Sequence, residues 1–247
     1  MKNNLMTHVV AGYPTKATCI DLLIGMQKAG VTAIEIQIPF SDPGADGPVI
    51  MRANDTALEN GMTTLRCFHM IDKARTAGLN TPIYLMTYLN KVISFGLPEF
   101  CKRAHISQIT GFIVPDLPID SAEYDELKKQ CTLLGIAIVP VLSPGISANR
   151  LDMYLRDSHG LIYLTSTKGI TGKKLTIKKE LRELVKIVRT KTTCTVALGF
   201  GIRDLADVEA ALSIVDIAVL GSAIIRSLNT TGIKNSLRFI EQLVGEK

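Results

Sequence analysis

The chain lacks several things that would place it in a familiar class. Tryptophan is absent, and Phe, Tyr and Trp together make up only 5% of the residues. Its five cysteines, Cys19, Cys67, Cys101, Cys131 and Cys194, are scattered, odd in number and never spaced C-x-x-C. A disulfide framework and a zinc site are therefore not expected, and ordinary buried thiols are. No run of 18 uncharged apolar residues exists, so no membrane span is expected. The opening apolar run is short and broken by His8, unlike a secretory leader. These features make cytoplasm the expected location. There is no Gly/Ser- or Pro-rich linker and no low-complexity tract, which favours one domain over residues 1–247. The net charge is +5, with a local excess at Lys168, Lys173, Lys174, Lys178 and Lys179. Without interleaved aromatics this points to a solvated or phosphate-attracting face, not to nucleic acid.

What remains is a chain that is 47% apolar and patterned in alternation. Short β-branched runs bounded by Gly or Pro predict eight strands: Leu5–Ala11, Ala33–Ile38, Ile83–Tyr88, Gly111–Val114, Ala137–Leu142, Leu161–Thr165, Cys194–Leu198 and Asp216–Leu220. Amphipathic stretches between them predict helices over Ala17–Lys28, Ser121–Leu134, Lys178–Arg189, Asp204–Leu212 and Ile233–Val244. Asp120-Ser121 opens one helix, and Gly30 and Gly135 end two. Strict β–α alternation implies parallel strands and right-handed crossovers, which eight units accommodate as a (β/α)8 TIM barrel. An open doubly wound sheet is the alternative, weakened because no G-x-G-x-x-G follows the first strand.

In such a barrel the chemistry sits at the C-terminal ends of strands. The second strand carries a carboxylate, Glu35, in its interior, and a buried charge is costly unless paired or used. It runs into a Pro/Gly loop holding Asp42 and Asp46. Near the last three strands stand Thr171-Gly172, Gly199-Phe200-Gly201 and Gly221-Ser222-Ala223. Glycines let backbone N–H groups approach an anion, and a helix starting near Ser222 would add its positive end. Phosphate binding is the expectation, over glycines that merely end strands. The four histidines have no Ser or Cys partner pattern, and Tyr88 and Tyr163 are more often core residues than catalytic ones.

The stretch E-I-Q-I-P-F-S-D-P-G-A-D-G-P from Glu35 to Pro48 resembles the signature of the tryptophan synthase alpha subunit family, E-x-G-[IV]-P-F-S-D-P-x-A-D-G-P. Matching blocks are A-G-Y-P at 11–14, L-M-T-Y-L-N at 85–90, I-V-P-D-L-P at 113–118 and A-L-G-F-G-I at 197–202. The resemblance spans nearly the whole chain, although the extra N-terminal helix usual in the family is missing before the first strand. It implies retro-aldol cleavage of indole-3-glycerol phosphate to indole and glyceraldehyde 3-phosphate. Glu35 would be the acid/base residue, and Asp46 would bond the indole N–H. Gly172, Gly201, Gly221 and Ser222 would bind phosphate, with Thr171 in a lid closing on Asp46 and Tyr163 near Glu35. The family uses no metal and no cofactor in this subunit. Its partner, a beta subunit carrying pyridoxal phosphate, forms an alpha2beta2 assembly, with Pro39, Ser41, Asp42, Pro43 and Asn90 facing it. Asp42 and Asp46 would also serve as plain turn residues, and Asp116 as a structural or interfacial one.

Four residues depart from the family pattern around the pocket. Gln37 replaces a glycine and, two residues from Glu35, points to the same side of the strand about 7 Å further on. It could bond Glu35 or Asp46, or fill the ring pocket. His8 stands where an apolar residue, often Phe, is usual. Gly44 replaces a bulky apolar residue, and Thr167 precedes Lys168 where an Arg normally stands. An active lyase and a catalytically impaired subunit that mainly activates its partner both fit. A sugar-phosphate isomerase or epimerase barrel would explain the glycines but not the S-D-P-x-A-D-G-P run.

Overall fold

A computed structural model describes residues 3–166 and 175–245. Among the described residues nine parallel strands run in chain order: β1 (Leu5–Val10), β2 (Ala33–Gln37), β3 (Ile83–Met86), β4 (Gly111–Ile113), β5 (Ala137–Val139), β6 (Val141–Leu142), β7 (Leu161–Thr165), β8 (Thr195–Gly199) and β9 (Ile217–Leu220). Their spatial order is β5-β4-β3-β2-β1-β9-β8-β7-β6. The ends of this row, β5 and β6, are two halves of one predicted strand, Ala137–Leu142. Pro140 divides them, because it has no N–H to give to a ladder. Its carbonyl still accepts from the Tyr163 N–H at 3.0 Å. One half pairs with β4 and the other with β7, so the ring closes through Pro140. The open doubly wound alternative is thereby excluded.

Strand residues alternate between two apolar layers. Met6, Ala33, Met86, Ile113, Leu161 and Val219 fill the barrel interior. Leu5, Ile34, Leu85, Phe112, Ile162 and Leu220 belong to the shell between barrel and helices. The predicted helices form with ends shifted by a residue or two, and Gly30 and Gly135 close two of them in the left-handed conformation. Ile233–Val244 is the second part of a longer element, Ser222–Val244, broken by a non-helical Gly232. Further helices, among them Pro48–Glu59 and Leu89–Phe95, fill intervals the sequence pattern left open. The chain passes from Asn3 directly into β1, and the Asn3 N–H donates to the Val244 carbonyl at 2.8 Å. All five cysteines are buried and free. Among the described residues no helix is long and apolar enough to cross a membrane.

Candidate active site

The carboxyl ends of the strands converge on a cavity of about 50 Å³. His8 and Glu35 enter from β1 and β2, Tyr163 from β7, and Asp46 from the loop after β2. Gly221 lies beside His8, a Cβ built on it coming within 3.4 Å of that ring, and Gly201 and Ser222 also line the cavity. Met86, Ile113, Val141 and Val219 give the cavity an apolar lining. Among the described residues no group of His, Cys, Asp and Glu could hold a metal ion.

Glu35 is 4% exposed and has a partner the sequence pattern did not suggest. The parallel register sets His8 directly opposite it on β1. His8 Nδ1 lies 3.2 Å from Glu35 Oε1. No Lys or Arg reaches this carboxylate among the described ion pairs. Burial alone would push the His8 imidazole down, yet Glu35, with smaller contributions from Asp46 and Gln37, carries it above the ordinary histidine value. His8 Nε2 and Glu35 Oε2 are buried without any hydrogen-bond partner. Buried polar atoms left this way are unusual and mark places where a ligand could supply the partner.

Gln37 follows the strand alternation and points to the same side as Glu35, but it does not line the cavity. It is fully buried. Its Nε2 donates to Asp46 Oδ2 at 2.6 Å and to Asn54 Oδ1 at 3.3 Å. Of the uses open to it, the bond to Asp46 is the one observed, and the ring space stays clear of it. Tyr88 adds a second donor, its hydroxyl reaching Asp46 Oδ2 at 3.3 Å while accepting from the Ala45 N–H at 3.1 Å. Burial raises the Asp46 carboxyl above the usual range, opposed by the charge on His8 and by the Gln37 and Tyr88 bonds. The Tyr163 hydroxyl is likewise held well above its ordinary value, by burial and by Glu35 and Asp46.

Tyr88 and Asn54 are site residues the sequence reading missed. Tyr88 had a signal, lying two residues past the end of β3 in the L-M-T-Y-L-N block. Asn54 had one too: it is the polar member of the buried face formed by Ile50, Ala53 and Ala57 of helix Pro48–Glu59. It accepts from the Phe40 N–H and donates to the Ile50 carbonyl, both at about 3 Å, so it fixes the loop between β2 and that helix.

Beside His8, following β9, the helix beginning at Ser222 has Gly221 at its cap. Its first N–H groups have no carbonyl of a preceding turn to bond, and Ser222 lines the cavity. Phe200 and Gly201 both have positive φ, 71° and 97°, turning the chain sharply after β8. The Ser166 hydroxyl holds the Phe200 carbonyl at 2.6 Å. Gly199 is required for another reason: a Cβ there would sit 2.1 Å from the Tyr163 hydroxyl. Thr167, Lys168, Thr171, Gly172, Lys173 and Lys174 lie outside the described residues.

Of the residues expected to face a partner, Ser41, Asp42 and Asn90 are exposed, and Pro39 and Pro43 are buried within the chain. Gly44 is exposed, and a Cβ there would meet nothing within 4 Å. Nearby, the Lys91 ammonium lies over the Phe40 ring at 5.6 Å. Asp116 is structural, its carboxylate capping the helix at Leu89 with a 2.9 Å bond from the N–H.

Known proteins similar to this chain match almost its whole length. The model of the tryptophan synthase alpha chain family matches residues 1–246. The tryptophan synthase alpha chain of Syntrophotalea carbinolica is 38% identical over 239 residues, 97% of this chain and 93% of the relative. That of Desulforapulum autotrophicum is 37% identical over the same shares. Among solved structures, tryptophan synthase from Mycobacterium tuberculosis superposes with a TM-score of 0.89 at 26% identity, covering 98% of this chain and 91% of that one. A chain of the tryptophan synthase a2b2 complex from Pyrococcus furiosus gives 0.88 at 28% identity, with both chains covered completely.

Proposed function

The chain belongs to the tryptophan synthase alpha chain family, and from that membership we propose that its cavity cleaves indole-3-glycerol phosphate by a retro-aldol reaction. One observation carries this reading. Two buried carboxylates, Glu35 and Asp46, line a cavity that also takes in Gly201 and the N-terminal residues Gly221 and Ser222 of a helix. A carboxyl beside the scissile bond can move the protons that C–C cleavage requires. Glu35 takes that role, acting between the ring carbon that must gain a proton and the hydroxyl that must lose one. Asp46 accepts from the indole N–H and so stabilises positive charge building on the ring. Backbone N–H groups at Gly201, Gly221 and Ser222 hold the phosphate. The indole passes to a beta subunit carrying pyridoxal phosphate in an alpha2beta2 assembly, docked through the exposed Asp42 and Asn90. The same reading makes this one barrel domain, in the cytoplasm. Family membership sets aside the sugar-phosphate isomerase alternative.

A second reading is favoured by one specific contact. Gln37 already occupies Asp46 Oδ2, so the group meant for the indole N–H is engaged before substrate arrives. On this reading cleavage is weak, and the chain serves mainly as an activator of the beta subunit. Indole release from indole-3-glycerol phosphate, with and without the beta subunit, separates the two. Release at rates sufficient to feed tryptophan formation supports the lyase. Activation of the beta subunit without release supports the second reading, and neither effect refutes both.

A further inference from the structure

His8 and Tyr163 line the cavity yet take no part in the reaction as just described, and His8 is the one paired with Glu35. His8 is 5% exposed, stands opposite Glu35 on the neighbouring strand and lines the same cavity. A histidine buried for packing alone would have both ring nitrogens satisfied. Here Nδ1 is engaged with Glu35 Oε1 at 3.2 Å and Nε2 has no partner. Glu35 shows the complementary pattern, with Oε1 engaged and Oε2 free of partners. Two adjacent groups of opposite charge thus each present one unsatisfied atom beside the place where a C–C bond would be cleaved.

We propose that His8 is a second catalytic residue, and that it and Glu35 divide the acid and base roles of the cleavage between them. This rests on the lyase reading. His8, as imidazolium, gives its Nε2 proton to the ring carbon. The C–C bond breaks with its electron pair remaining on the indole. Glu35 Oε2 removes the proton from the side-chain hydroxyl, whose oxygen becomes the aldehyde. Indole and glyceraldehyde 3-phosphate leave, and the proton on Glu35 returns to His8 Nε2 through the vacated cavity. No net proton is gained or lost, and no further reactant is needed.

The reactive form is the ion pair, so protonating Glu35 and deprotonating His8 both stop the reaction. The titratable groups facing His8 are Glu35 from β2, Asp46 from the following loop and Tyr163 across the cavity. The β9 side contributes Val219, Gly221 and Ser222, none of which titrates. Both acids favour the imidazolium, which agrees with the upward direction found for His8.

The test is kcat against pH for wild type and His8→Phe, using the assembled complex with its beta subunit. Wild type should lose activity on an alkaline limb centred above the ordinary histidine value of about 6.5. His8→Phe should lose that limb and fall about a hundredfold or more, with glycerol-phosphate affinity kept. A variant as fast as wild type, or slower with the same limb, overturns the proposal while leaving the lyase reading standing. Wild type releasing no indole at any pH removes both. Should His8→Phe fail to fold, NMR titration of a protein in which His69, His105 and His159 are replaced by Gln decides the matter. A remaining imidazole that titrates above about 6.5 supports the proposal, and one that is neutral there overturns it.

Discussion

Replacing Gln37 by Gly should make cleavage faster. The Nε2–Asp46 Oδ2 bond is 2.6 Å long, buried and charge-assisted, a type that contributes about 1.5–3 kcal/mol. If the indole N–H must compete with that bond in the transition state, removing it lowers the barrier by up to the same amount. At about 1.4 kcal/mol per factor of ten, the gain is roughly tenfold to a hundredfold. Stability should move the other way. Losing the bond and placing Gly inside a strand costs about 2–4 kcal/mol together. Relief of the unpartnered Gln37 Oε1 returns about 1 kcal/mol of that. Gln37→Met distinguishes bonding from obstruction, because it keeps the volume and removes the donor. Since Gln37 lies outside the cavity wall, both variants should gain activity. The assay is the initial rate of indole formation from indole-3-glycerol phosphate at saturating beta subunit. A gain in the glycine variant alone would mean steric blockage, contrary to the observed geometry. No gain in either would show that Gln37 supports Asp46, and the reasoning would fail.

Three further outcomes are expected. Ser222→Asp places a carboxylate at a helix N-terminus, where it favours the helix and repels an anion. Glycerol-phosphate affinity, read by calorimetry, should drop at least tenfold with the melting temperature unchanged or raised; equal affinity would remove the phosphate site from this position. The His8 imidazole has its pKa raised in the folded state, so its share of stability is complete below the unfolded value and disappears as pH rises through the folded one. Resistance of wild type to urea should therefore fall as pH rises above about 6.5, relative to His8→Phe; parallel curves would contradict the pairing with Glu35. Asp42→Ala with Asn90→Ala, both exposed, should weaken co-elution with the beta subunit while leaving glycerol-phosphate affinity intact, and unaltered co-elution would move the docking surface elsewhere.

The barrel was legible because parallel strands buried on both faces are spelled as short β-branched runs, and these recur at regular intervals from Leu5 to Leu220. The break at Pro140 was legible in principle, since proline cannot serve in the middle of a ladder, but not that the halves would pair on different sides. Glu35 and Asp46 stood out as acids in an apolar strand and a Gly/Pro loop. What sequence could not display was the company they keep. His8 meets Glu35 through strand register, across 27 positions of chain, and Tyr88 reaches Asp46 from 42 positions away. Alternation predicted the side to which Gln37 points, and the bond to Asp46 was among its expected uses, but the part played by Asn54 was not legible. Thr171, the expected lid residue, and Gly172, expected at the phosphate, lie outside the described residues.

The central claim is that Glu35, in the cavity it shares with His8 and Asp46, moves the protons of C–C cleavage. Single-turnover indole release by wild type and Glu35→Gln, each in complex with the beta subunit, tests it most directly. The amide keeps the shape of the side chain and can still bond His8, but it cannot accept and return a proton. The account predicts release by wild type and a loss of about 10²–10⁴-fold in the variant, with glycerol-phosphate binding and beta-subunit activation retained. Release by Glu35→Gln at the wild-type rate would contradict it.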